Sequence, residues 1–132
     1  MQEEELRKVG VEPEEAIERF MGNEMLYLKY LIRFTEDENY RILSDSLAEG
    51  ECRKAFEAAH TLKGVCGNLS VKGMEILLKE QVEYLRSGDI EKAKLMMPEL
   101  KNAYEQVVSV LERMKNSKFE QAGEQRREKV IW

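Results

Sequence analysis

The stretch Ala55–Ser70, AFEAAHTLKGVCGNLS, contains the one histidine of the chain, His60, followed by Lys63, Gly64 and Gly67. An α-helix turns about 100° per residue. With His60 at zero, Ala55, Ala58, Ala59, Leu62, Cys66 and Leu69 fall in a sector centred about 200° away. Such a sector is the core stripe of an amphipathic helix, and it leaves His60 facing water, nearly opposite the core.

The same wheel describes the surface around the imidazole. Lys63 and Gly67 lie within about 60° on one side, Gly64 about 40° on the other, and Phe56 about 40° away one turn back. Each glycine costs a helix about 1 kcal/mol relative to alanine. Gly67 is read either as the start of the helix exit or as part of an open surface. Leu69 continues the inward pattern past Gly64, so close approach of another molecule accounts better for that glycine. Lys63, at i+3, reaches the imidazole edge, where an ammonium would stabilise a phosphoryl group as a point charge.

Helix signals continue outward from this stretch. VEPEEAIERFMG reads as a short helix with Pro13 in its first turn and Gly22 as its stop. Asn23 caps EMLYLKYLIRF, with Met25, Leu28, Leu31 and Ile32 at helical spacing. Thr35 and Glu38 match a capping box at the head of a segment carrying Tyr40, Leu43 and Leu47, which Gly50 ends. Ser70 is read as the cap of the next helix, with Met74, Leu77, Leu78, Val82 and Leu85 inward and Gly88 at its end. Asp89 caps a last segment to about Lys115, in which Pro98 predicts a kink or break near Met97. The expected organisation is an N-terminal tail over 1–10, a helical bundle over 11–116, and a charged tail or helix extension over 117–132. Short linkers make neighbouring long helices antiparallel. The expected fold is therefore all-α, an up-and-down antiparallel four-helix bundle with additional short N-terminal helices.

Composition narrows the function. The 132 residues suit one domain, and a net charge of −5 argues against a nucleic-acid partner. Cys52 and Cys66 lack metal or redox spacing and suit a reducing cytosol. No apolar run approaches the ~20 residues that span a bilayer, and MQEEELRK lacks the apolar core of a signal peptide. The expected setting is cytoplasmic, without a membrane partner.

At His60, Leu62, Lys63 and Gly64, with Val65, Cys66 and Gly67 behind, the sequence resembles the histidine-containing phosphotransfer (HPt) family, whose motif is roughly H-x-L-K-G followed by small residues and a glycine. The likeness extends over about residues 10 to 115, through EEAIERFMGNEMLYLKYLIRF before the motif and EYLRSGD after it. It implies a phosphorelay intermediate. Such a domain accepts a phosphoryl group from a receiver-domain aspartyl phosphate and passes it to another receiver, in a response regulator or a hybrid kinase. It has no kinase activity of its own, binds no cofactor or metal, works with Mg²⁺ held by the receiver, and is expected here as a monomer. By the same resemblance His60 is the phosphoacceptor, usually through Nε2 of the neutral imidazole. Lys63 balances the phosphoryl charge, and Gly64 keeps the surface open for the receiver. Phe56, read as an exposed aromatic one turn from His60, and Gly67 are expected to meet the receiver as well. The glycine often found ten positions after the histidine is Ser70 here, and Glu80 or Gln81 is expected to supply a polar side chain beside the imidazole.

Three other readings compete with this one. A helical module that docks receivers without phosphotransfer would be marked by a replaced histidine, and His60 is present. A ferritin-type metal bundle needs two E-x-x-H motifs, and Glu57–His60 is one. A redox sensor at Cys66 conflicts with its place in the core sector, where a thiol is inert.

Overall fold

The computed structural model describes the backbone of residues 2–131 and the side chains of residues 2–117. Among these residues every element is helical. The order is α1 (Glu3–Lys8), α2 (Pro13–Arg19), α3 (Glu24–Arg33), a 3₁₀ turn (Phe34–Glu36), α4 (Asn39–Ala48), α5 (Cys52–Leu69), α6 (Lys72–Arg86), α7 (Ile90–Leu95) and α8 (Met97–Ile131). The side chains of the expected tail from 118 lie outside the described residues.

Most helix starts follow their sequence signals. Asn23 Oδ1 accepts from the Leu26 amide at 3.0 Å, and Asp89 Oδ1 accepts from the Lys92 amide at 3.1 Å. Pro13 opens α2, and Pro98 sits in the first turn of α8, where its missing N–H costs no hydrogen bond. The break expected near Met97 falls at Met96, between α7 and α8.

Four features differ from the sequence reading. Residues 1–10 are not a plain tail: α1 forms there, and Leu6, the one apolar side chain of that helix, is fully buried. Thr35 and Glu38 make no capping box. The 3₁₀ turn puts Thr35 in helical geometry, so its hydroxyl donates back to the Ile32 carbonyl, and Asp37 accepts from the Asn39 amide instead. Ser70 does not start α6; it ends α5 in the left-handed conformation, φ +55°, and Val71 takes the N-cap position. Gln81, on the inner face of α6, is fully buried, its Nε2 donating to the Ala93 carbonyl at 3.0 Å.

α5 packs most extensively against α4 and α6. Ala55, Ala58, Ala59, Leu62, Cys66 and Leu69 are all buried, as the wheel predicts, and the three alanines let neighbouring helices approach closely. Early α5 meets late α6: Cys52 Sγ lies 3.6 Å from the Leu85 carbonyl oxygen, while Gly67 faces Glu75. These two helices therefore run antiparallel. On the α8 side, Tyr40 stacks on Tyr104 with centroids 3.8 Å apart, and Phe34 meets the same ring at 6.0 Å.

The α5–α6 corner is tied down from several directions. The Val71 amide donates to the Cys66 carbonyl at 2.8 Å and the Ser70 amide to the Gly67 carbonyl at 3.3 Å, the paired bonds of a Schellman ending. Tyr27 Oη donates to the Leu69 carbonyl at 2.8 Å, and the Glu12 amide to the Ser70 carbonyl at 2.8 Å. Arg19 donates to the Gly67 carbonyl at 2.7 Å and to the Ser70 hydroxyl. Beside the corner, Val11 bridges Val71, and the Gly73 amide donates to the Gly10 carbonyl at 3.1 Å. A Cβ on Gly10 would stand 3.1 Å from Gly73 Cα, and Gly10 has φ +84°, so the close approach needs glycine at position 10.

Candidate functional site

His60 lies midway along α5 and is exposed, on the face opposite the buried alanines. Beside it, Gly64 is open: apart from the backbone of the helix itself, no atom lies within 4 Å of where a Cβ would be. Lys63 is half-buried on the α6 side of the same face.

The other expected neighbours are more enclosed than a bare wheel implies. Phe56 is half-buried rather than freely exposed. Its ring lies 5.8 Å from the imidazole, the planes at 33°, and the Arg86 guanidinium sits over it at 5.2 Å from the centroid. Gly67 is half-buried under Glu75, whose Oε2 would lie 3.4 Å from an added Cβ, and its carbonyl is taken by Arg19. The space over Gly67 thus belongs to α6, whereas the space over Gly64 belongs to solvent.

Neither polar candidate from the next helix is engaged with His60. Gln81 points into the core toward α7, and Glu80 accepts from Tyr84 Oη at 2.9 Å. α6 instead brings Arg86 to this region through the Phe56 ring. The signal for Arg86 was its position near the end of α6, facing the first turns of α5 once the two helices are antiparallel.

On the flank of α5 away from α6, a groove of about 560 Å³ runs between α5 and α2–α3. Phe20, Tyr30, Phe34 and Val65 give it an apolar lining, with Arg19 and Arg33 among its polar residues. Phe20 and Tyr30 pack at 5.8 Å, and Arg33 lies over Tyr30 at 5.6 Å. The two flanks of α5 thus differ: Phe56 and Arg86 meet on the α6 side, and the groove with its apolar walls and two arginines lies on the α2–α3 side.

Burial pushes the Cys66 thiol well above its ordinary value, with Glu75 and Asp37 adding to the effect, so the thiolate is suppressed. Burial likewise raises Tyr27, which keeps its hydroxyl a donor to Leu69. Lys72 pairs with Glu15 at 2.9 Å; the hydrogen bond holds the Glu15 carboxyl below its usual range and raises Lys72. Among the described residues no three His, Cys, Asp or Glu side chains are grouped to hold a metal ion, and no helix is long and apolar enough to cross a membrane.

A family model, the Hpt domain, matches residues 34–110. No curated protein and no solved structure matches the chain. The matched span begins at the 3₁₀ turn and ends within α8, so it includes all of α4, α5, α6 and α7, while the α2–α3 wall of the groove lies before it.

Proposed function

Because the chain belongs to the Hpt domain family, whose members are phosphocarriers of two-component signalling, we propose that it is a phosphorelay intermediate with His60 as the phosphoacceptor. It takes the phosphoryl group from an aspartyl phosphate on one receiver domain and gives it to another. The observation that carries the reading is an exposed imidazole beside Gly64, where nothing blocks an approaching active site.

By the likeness to the family, the His60 imidazole attacks through the Nε2 lone pair. The N–P bond forms as the acyl O–P bond of the aspartyl phosphate breaks, and the aspartate carboxylate leaves with the bonding pair. Lys63 offsets charge on the transferred group. Mg²⁺ and the remaining catalytic groups come from the receiver, so this chain binds no cofactor and acts as a carrier without autonomous kinase activity. The groove beside Val65 offers the receiver an apolar seat next to the open turn, and Gly64 admits its active site. The carrier works as a monomer in the cytoplasm.

Incubation with phosphorylated receiver domains tests the reading. Label is expected on the carrier, acid-labile and alkali-stable as for a phosphoramidate, and absent from His60→Gln. Label retained on that variant would place the acceptor elsewhere.

A further inference from the structure

The groove between α5 and α2–α3, about 560 Å³, has the size of a small-molecule site. Of its apolar residues, Phe34 and Leu69 are buried, Phe20 and Val65 half-buried and Tyr30 exposed. Its aromatic wall is braced from behind. Phe20 packs on Tyr30 at 5.8 Å and on the buried Tyr27 at 5.6 Å, and the Tyr27 hydroxyl is fixed on the Leu69 carbonyl. The space is therefore formed before any ligand arrives, which lowers the ordering cost of binding.

Three charged side chains line the groove, and two are already engaged. Arg19 holds Glu15 at 3.2 Å, the Gly67 carbonyl at 2.7 Å and the Ser70 hydroxyl. Asp37 Oδ1 accepts from the Asn39 amide and from Asn39 Nδ2, both at 2.8 Å. Arg33, the last residue of α3, meets no carboxylate among the described residues; its guanidinium rests over the Tyr30 ring at 5.6 Å. A guanidinium takes the two oxygens of a carboxylate in a fork, and an aromatic face beneath it limits the conformations it must lose. Asp37 disfavours a dianion in the same groove, and its engaged carboxylate offers little to a cation.

We propose that this groove binds a small apolar monocarboxylate, its body against Phe20, Phe34 and Val65 and its carboxylate on Arg33, and that an occupied groove holds off the receiver. Arg33 lies before residue 34, where the family match begins, so the cation of this site is not part of the matched domain. The binding site stands on the groove alone. The exclusion of the receiver rests on the proposed function, which seats the receiver beside Val65.

Phenylbutyrate, phenylbutyramide and phenylbutylamine share one body and differ in charge. They are titrated into the ¹⁵N-labelled full chain at about millimolar concentration, the affinity open to ligands of this size. Phenylbutyrate is expected to shift the amides of Val65, Asn68 and Leu69 and to bind about fivefold more tightly than the neutral amide, the effect of one partly exposed ion pair. The amine is expected to bind no better than the amide. Arg33→Gln is expected to abolish the preference for the carboxylate and leave the affinity for the neutral amide unchanged, and Arg33→Lys to restore part of the preference. Equal binding of carboxylate and amide, a preference that survives in Arg33→Gln, shifts confined to other surfaces, or no saturable binding overturns the site. In transfer assays, phenylbutyrate at its Kd is expected to raise the receiver concentration for half-maximal labelling of His60 about twofold, as competition for one site requires, with the saturating rate unchanged. An unmoved half-saturation point overturns the exclusion of the receiver. A chain that takes no label from any receiver overturns the phosphoacceptor reading and that exclusion with it, while the titration still decides the binding site.

Discussion

Two regions of one helix, the His60 turn and the Ser70 corner, are built on opposite principles. At the corner, backbone groups and a hydroxyl are claimed by Tyr27, Arg19, Glu12 and Val71, drawn from three separate parts of the chain. At the His60 turn the surface over Gly64 is left unclaimed. Stability is concentrated where α5 ends, which leaves its middle free to carry an exposed reactive group and a glycine that does nothing for the helix. Function and stability are separated along just under three turns of one element, about 2.8.

Pairs of substitutions sharpen or break that separation. The largest contrast lies across the thickness of α5. His60→Gln is expected to abolish phosphoryl acceptance and leave the melting curve in place, since the side chain supplies no core packing. Leu62→Ala, on the buried face, is expected to cost about 2–5 kcal/mol in denaturant unfolding. The folded fraction of that variant should still accept label at His60. A large stability loss in His60→Gln would break the comparison.

Next in size is the corner. Tyr27→Phe leaves the Leu69 carbonyl without its buried donor, an expected cost of about 1–2 kcal/mol by chemical denaturation, with the transfer rate unchanged below the transition. A slowed transfer in the folded protein would mean that the corner positions His60 and the two regions are coupled.

Smaller effects come from residues that trade one term against another. Gly64→Gln is expected to raise stability by up to about 1 kcal/mol, since glycine is a poor helix former and the space is open, while slowing transfer from a receiver in stopped-flow or rapid-quench assays. Unchanged transfer would show that the open turn is not the approach path. Ser70→Gly relieves the left-handed strain, about 1 kcal/mol, and removes the hydroxyl that accepts from Arg19, a loss of similar size. Its unfolding midpoint is expected to stay close to that of the wild type. A loss well above 1 kcal/mol would show that the Arg19 bond dominates the corner.

The smallest effect is electrostatic. The Glu15 carboxyl is lowered by Lys72, so this pair stabilises the fold above the ordinary carboxylate range. That stability is lost as pH falls through the depressed folded value. Both groups face solvent, so added salt should erase most of the difference between wild type and Glu15→Gln in acid melts.

What the sequence disclosed follows the same division. The inward face of α5 was legible because six small or apolar residues share one helical sector, and all six are buried. The exposure of His60 follows from the same wheel. The corner was misread because its determinants are remote. A serine before Val-Lys-Gly has the chemistry of an N-cap, and only Arg19, arriving from α2, reveals that its hydroxyl serves as an acceptor at the end of α5. Gln81 escaped because a buried amide breaks the apolar pattern, and its donor is satisfied by a carbonyl on α7 that no local rule anticipates. Leu6 is a single apolar residue in an acidic run, too little for a periodicity. Phe56 was placed on the correct face, but Arg86 belongs to another helix, so the company it keeps was hidden until the α5–α6 register was known.

The seam where Gly10 meets Gly73 sets an order of assembly. α4, α5 and α6 follow one another through tight turns, so their mutual contacts close short loops and form early. The seam closes a loop that contains all of α2 to α5, and its landing place exists only after the chain has turned at Ser70 and Val71. Residues 9–12 therefore seat late, after the α5–α6 corner has formed. Their amide protons should exchange with solvent ahead of those in the body of α5, through openings that leave the helix carrying His60 intact.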